Sequence, residues 1–106
     1  MREIRSARLD KTRPVVVLTR DPARAAMTKV TVAPITSTAK GLCSEVPVGA
    51  DNGLDHPSVV SLDNVVTIPV DLLGRAIGFL NAEQESLLAR AVVLAYDLDL
   101  PLMNES

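Results

Sequence analysis

Tryptophan is absent from this 106-residue chain, and Phe79 and Tyr96 are its only aromatic residues. A core must therefore be built from Val, Leu, Ile and Ala, and β-branched stretches of that kind suit strands better than helices. Cys43 is the single cysteine, which excludes an intrachain disulfide framework and a thiolate metal cluster. His56 is likewise single, and no nucleophile-elbow sequence accompanies it, so Ser/His/Asp hydrolysis has no support. A lone His among turn residues is ordinarily a plain surface group. The carboxylates are scattered, without HExxH, EF-hand or paired-cysteine spacing, and no glycine-rich phosphate loop is present. Neither a metal nor a cofactor is expected. No apolar run approaches the ~20 residues that span a bilayer. The opening MREIRSARLD lacks the apolar stretch of a secretory signal, so the expected location is cytoplasmic.

The length allows one domain over residues 1–106. A domain of this size buries only about 60–70% of the surface its unfolded chain exposes, so association with a second copy would help. The net charge of −2 argues against nucleic acid until its distribution is considered. Nine of the eleven Lys and Arg lie in the first 40 residues against three acids, a balance of +6 there and −8 beyond. Such asymmetry fits a basic face on an acidic body, or merely scattered solvated charge.

Along the chain, Arg2 to Leu9 alternates weakly and predicts a charged edge strand. Asp10-Lys11-Thr12 is a short polar connection. Pro14 to Leu18 (PVVVL) is a continuous apolar run that reads as a buried strand, with Pro at its tolerated first position. Arg20-Asp21-Pro22 breaks it, and a loop or one helical turn runs to Thr28. Lys29 to Ile35 is a further strand, with Pro34 implying a bulge or an edge. Thr36 to Gly41 is a hydroxyl-rich loop. Glu45 to Val48 predicts a short strand, and Gly49 to Pro57 a turn-rich loop around Asn52-Gly53. Ser58–Leu62 and Val65–Pro69 are β-type runs, Asp71–Gly74 a single helical turn and Ala76–Leu80 a last strand. Asn81 and Gln84 then form a capping box. Leu87, Leu88, Ala91, Leu94, Ala95 and Leu98 mark one apolar stripe for core packing, and Leu98 to Ser106 is a tail. Six or seven short strands with a C-terminal helix make a small α+β barrel.

Two segments carry candidate chemistry. Lys11-Thr12-Arg13-Pro14 sets cations at the mouth of a buried strand, and Thr36-Ser37-Thr38 adds hydroxyls with Lys40 just beyond. The planar, permanently charged fork of an Arg suits a phosphate, and hydroxyls donate to oxygens that gain charge in a transition state. Together they suit attack of a ribose 2′-OH on the adjacent phosphorus, which needs no external nucleophile or metal. A polar turn and an Arg that simply snorkels account for the same residues.

At these positions the sequence resembles the MazF (PemK/Kid) family of toxin–antitoxin ribonucleases, above all its short mycobacterial members. The similarity begins at Arg13-Pro14-Val15-Val16-Val17-Leu18-Thr19-Arg20 and continues through Val32-Ala33-Pro34-Ile35-Thr36-Ser37-Thr38. Lys40-Gly41 with Glu45-Val46, then Ser58 to Asn64, then Ile77-Gly78 before the helix complete the order. The resemblance implies an SH3-like barrel forming homodimers, with RNA crossing the dimer groove. It implies a sequence-specific, metal-independent endoribonuclease that inhibits translation and growth. Arg13 would stabilise the phosphorane and protonate the leaving 5′-oxygen, and Thr36 would hold a non-bridging oxygen. The products would be a 2′,3′-cyclic phosphate and a 5′-hydroxyl. Asp10 and Glu45 are the candidate general bases. The implied partner is a MazE-type antitoxin whose acidic C-terminal segment lies over the groove.

One departure is the opening strand, Arg2-Glu3-Ile4-Arg5, which lacks the family's Gly and aromatic. Another is Asp10-Lys11-Thr12, where the family has a long loop that helps cover the groove. A more open groove able to accept structured RNA, such as tRNA or rRNA loops besides mRNA, is the expectation. With so few aromatics, recognition should lean on polar contacts and on phosphate contacts by Lys11, Lys40 and the N-terminal arginines, weakening with salt. The alternative is a non-catalytic binding module like the related CcdB toxins. Their Trp-Gly-Ile end is replaced here by Pro101-Leu102-Met103-Asn104-Glu105-Ser106. An inert structural domain is the third reading.

Overall fold

The computed structural model describes residues 2–20 and 26–99. The expected break at Asp21-Pro22 and the end of the tail from residue 100 onward lie outside them. Among the described residues seven strands precede one helix: β1 (Glu3–Arg8), β2 (Thr12–Val17), β3 (Lys29–Thr36), β4 (Glu45–Val48), β5 (Ser58–Ser61), β6 (Val66–Pro69), β7 (Leu73–Phe79) and α1 (Ala82–Ala95). The expected α+β class, mostly β with a C-terminal helix, is what forms. Short 3-10 turns stand at Ala50–Asn52, Leu62–Asn64 and Val70–Leu72. The last begins one residue before the turn expected at Asp71, and β7 starts three residues earlier than the expected strand.

The sheet is antiparallel in the order β4-β5-β3-β2-β1-β7, with β6 paired to β3. Strand β3 thus has three neighbours on two edges. Lys29–Val32 pair with β6, Ile35 and Thr36 with β5, and Val32–Pro34 with β2. Pro34 falls in the interval between the β6 and β5 ladders, where a missing N–H is tolerated. This change of partner along one strand curls the sheet.

Burial follows the strand period. Val16 joins Ile4, Ala33, Ile35, Val60, Leu62 and Leu80 in a cluster capped by Leu88 and Ala91 of α1. Val15 and Val17 point the other way, into a cluster with Ala7, Val30, Val32 and Ile68. The apolar run of β2 is therefore buried on both faces, as its sequence predicts.

Two expectations are corrected. Strand β1 is interior, between β2 and β7; the sheet's path ends at β4 and β7. Its charges read as edge protection, but Ile4 and Ala7 turn into the two clusters while Glu3 and Arg5 occupy the outer positions. The apolar stripe of α1 also divides. Leu88 and Ala91 are buried and Val92 and Ala95 pack beside them, whereas Leu87, Leu94 and Leu98 stay exposed. Leu87 and Leu94, seven residues apart, share one flank of the helix, and Leu98 follows its end.

The capping box forms as predicted: the Asn81 side chain accepts from the Gln84 amide at 2.7 Å and Gln84 returns a bond to the Asn81 amide at 3.0 Å. Gln84 also bonds the buried Asn52, whose Nδ2 donates to the Phe79 carbonyl at 2.9 Å. This ties the 50–53 turn to β7 and α1. The approach is close enough that a Cβ at Gly78 would run into the Asn52 carbonyl. Gly53, with φ +83°, would meet the Ile77 carbonyl in the same way.

Gly78→Ala is expected to destabilise strongly, because backbone rather than a movable side chain blocks the methyl. Ile4→Ala, at a fully buried site, should cost about 2–5 kcal/mol. Denaturant unfolding of both variants against the wild type checks the two expectations.

Candidate active site

Arg13 and Thr36 stand at the open ends of the two central strands. The β2–β3 register runs Val15↔Pro34, Val16↔Ala33, Val17↔Val32. Continued two residues beyond Val15 and Pro34, it sets Arg13 opposite Thr36 on the face that carries Val15 and Val17. The apolar run of β2 leaves only its start for a polar group, and antiparallel pairing sets the finish of β3 on the same side.

Two clefts flank the pair, and Arg13 and Thr36 line both. The first, of about 430 Å³, is bounded also by Lys11, Ser37, the 53–56 segment, Ser58 and Arg75. The second, of about 500 Å³, takes in Asp10, Thr38, Lys40, Glu45, Asp63 and Asn64. All eight residues named from sequence as site candidates therefore surround one ridge. They divide, with Lys11 and Ser37 on one side and Asp10, Thr38, Lys40 and Glu45 on the other.

Arg13 is mostly enclosed, its side chain 23% exposed, and its Nη2 donates to Asp10 Oδ2 at 2.9 Å. Its Nε is buried without a partner among the described residues. Asp10 is held in place by the tight turn between β1 and β2, closed by the Leu9 amide donating to the Lys11 carbonyl at 3.1 Å. Desolvation pushes the Asp10 carboxyl up, but the Lys11 amide and the Arg13 charge outweigh it and hold the group below the usual carboxylate range. Asp10 is consequently a weak base suited to orienting Arg13.

Glu45 has a different task. Its carboxylate accepts from the amides of Lys40, Gly41 and Leu42 at 3.0–3.2 Å. A carboxylate engaged by three backbone donors fixes the loop after β3. Thr36 Oγ1 accepts from the Thr38 amide at 3.2 Å, which turns the chain out of β3. The hydroxyl hydrogen remains available to a ligand oxygen.

Of the N-terminal arginines expected to contact phosphate, two are occupied. Arg2 donates to the Val17 and Leu18 carbonyls and pairs with Glu85 at 3.3 Å. Arg5 forks onto the Gly74 carbonyl, with Nε at 2.8 Å. Both brace the fold, and the Lys and Arg that line the two clefts are Lys11, Arg13, Lys40 and Arg75.

A family profile described as PemK-like, MazF-like toxin of type II toxin–antitoxin system matches residues 3–96. Endoribonuclease MazF3 of Mycobacterium tuberculosis is 61% identical over 99 residues, which are 93% of this chain and 96% of that protein. The chain belongs to the PemK/MazF toxin family. The structure of Mycobacterium tuberculosis toxin MazF-mt6 matches this MazF-like chain with a TM-score of 0.91 at 59% identity, covering 92% of this chain and 99% of that one. An endoribonuclease from a mycobacterial species, in complex with its cognate antitoxin, has the same fold at 20% identity and a TM-score of 0.83, covering 93% and 95%.

Sequence reasoning placed none of Arg75, His56, Asp63 and Asn64 at the site of this MazF-like toxin. Asp63 accepts from Ser44 Oγ, and Asn64 Nδ2 donates to Ser61 Oγ at 2.8 Å. Their position after β5 was visible within the Ser58–Asn64 match, but residue type alone marks no role.

The Asp10–Arg13 pair makes a pH prediction. Because the folded-state pKa of Asp10 is lowered, the pair is complete above the ordinary carboxylate range and is lost as pH falls through the lowered value. Carboxyl-carbon NMR should place the Asp10 midpoint below that of an ordinary aspartate, and Arg13→Gln should raise it. A midpoint unmoved by that substitution would contradict the pairing.

Proposed function

We propose that residues 1–106 form one cytoplasmic toxin domain that cuts RNA at the Arg13–Thr36 ridge without a metal. Endoribonuclease activity is the family function; the residue roles are our reading. The observation that carries it is that Arg13 and Thr36, at the start of β2 and the finish of β3, together line both clefts. A phosphate on the ridge has a cleft on each side for the nucleotides that flank it.

In this reading the 2′-hydroxyl gives its proton to solvent water as its oxygen attacks the adjacent phosphorus, and the bond to the 5′-oxygen breaks as that oxygen takes up a proton. A 2′,3′-cyclic phosphate and a 5′-hydroxyl result. Arg13, steered by Asp10, donates to the phosphorane and to the leaving 5′-oxygen. Thr36 donates to a non-bridging oxygen, and Ser37, Thr38, Lys11 and Lys40 bind the strand on either side. Glu45 supports the loop that presents Thr38 and Lys40, and is not the base.

The β1–β2 connection is only the three residues Leu9–Lys11. That favours a groove accepting folded substrates such as tRNA or rRNA loops as well as mRNA, with translation and growth the processes inhibited. Exposed Val66, Val70 and Leu72 leave apolar surface that pairing into a homodimer would cover. A MazE-type antitoxin with an acidic segment would compete with RNA for Lys11, Arg13 and Lys40.

The test is incubation of purified protein with total RNA in EDTA, followed by mapping of fragment ends. Wild type should yield 5′-hydroxyl ends at a recurring sequence. Arg13→Ala, shown to be folded, should cleave about 100- to 1,000-fold more slowly, the usual effect of removing one preorganised donor. Equal rates would sink the mechanism, and no cleavage by either would favour a binding module.

A further inference from the structure

Arg75 sits where β7 departs from regular pairing. The β1–β7 register runs Arg5↔Ala76 and then Ala7↔Leu73, so Gly74 and Arg75 together oppose Ser6. Two residues against one is a β-bulge, a device that re-aims a side chain and recurs beside active sites. The bulge is braced from both sides. Arg5 forks onto the Gly74 carbonyl, and a Cβ at Gly74 would crowd the Ser6 side chain at 3.3 Å. Ser6 and Arg75 both line the first cleft, with Arg13 and Thr36 on its inner side.

Arg75 makes no hydrogen bond or ion pair among the described residues, and neither does the Lys11 side chain. Asp55, the acid on this cleft's walls, is exposed and likewise unpaired. The first cleft therefore carries Lys11, Arg13 and Arg75 against one carboxylate. The second carries Arg13 and Lys40 against Asp10, Glu45 and Asp63. The two sides of the ridge differ in sign, and only the first suits a second phosphate.

We infer that the Gly74–Arg75 bulge builds a phosphate subsite, in which Arg75 and Lys11 hold the RNA phosphate next to the scissile one. The inference rests on the cleavage reading above and assigns the first cleft to backbone and the second to a base. It also explains the Arg5 fork: Arg5 is a positioning residue that keeps the bulge, and hence the Arg75 guanidinium, fixed at the cleft wall. An Arg fork suits this task because it offers parallel donors to two phosphate oxygens.

Binding is measured with the full chain and a short substrate RNA carrying a 2′-deoxy group at the cleaved nucleotide, so that affinity is read without cleavage. Arg75→Gln should weaken binding about tenfold and reduce the slope of log K against log salt by about 0.7, as loss of one single-strand phosphate contact does. Arg75→Lys should keep the slope. Arg90→Gln, on the exposed surface of α1, controls for net charge and should bind as wild type. Methylphosphonate placed at each position in turn should reveal one neutralised phosphate whose loss in wild type is not repeated in Arg75→Gln.

Wild-type affinity and slope in Arg75→Gln would overturn the subsite. So would an affinity loss coupled to no phosphate position, which would place Arg75 on a base instead. Neither result depends on whether Arg13→Ala cleaves, so failure of the subsite is separable from failure of the mechanism.

Discussion

Everything at the site depends on burying β2 on both faces. With Val15 and Val17 in one cluster and Val16 in the other, that run of β2 has no outward face for chemistry. Strand β3 adds Val30, Val32, Ala33 and Ile35 to the same clusters and turns Thr31 outward to Thr67, so the polar groups beside the valines of β2 stand at its start and at the finish of β3. The start of β2 and the finish of β3 are adjacent because the strands are antiparallel, so Arg13 and Thr36 converge as a consequence of packing. The same constraint makes the site precise, since each residue continues a strand locked by fully buried valines.

Around that fixed pair, placement is delegated to shorter devices. The Leu9–Lys11 turn holds Asp10 against Arg13. Glu45 gathers the amides of the loop after β3. The Asn52–Gln84–Phe79 bonds and the bare backbone of Gly78 draw the far wall of the first cleft onto β7. In the last of these the buried Asn52 side chain has its partners supplied, which is the condition for such a group to add order rather than cost. The family's fold thus serves as a rigid frame, and the character of each cleft is set by the few charged side chains at its wall.

Much of this was legible in the sequence, for reasons that differ by element. The run Pro14–Leu18 has no polar position, so its burial on both faces needs no knowledge of its neighbours. Asn81 and Gln84 act within one turn of chain, and the capping box can be read locally. Strand β1 misleads because its charges are visible while its two partners are not. The α1 stripe misleads because six apolar residues at helical spacing cover more arc than one sheet face can bury. Arg13, Thr36 and their six companions were legible as chemistry, but only the ordered family resemblance separated them from a polar turn. Arg75 was invisible: its position follows from a bulge, and a bulge is a relation between two strands distant in the chain. Glu45 was visible as a carboxylate, yet its role lies in three amides that sequence does not aim.

The central claim is that Arg13 and Thr36 act on one and the same phosphate. A double-mutant cycle of Arg13→Ala and Thr36→Val, read as single-turnover cleavage rates on one RNA, tests it most directly. The account expects each single variant to slow cleavage and the double variant to be little slower than the worse of the two. Rate losses that multiply in the double variant would place the two residues at independent sites and contradict the account.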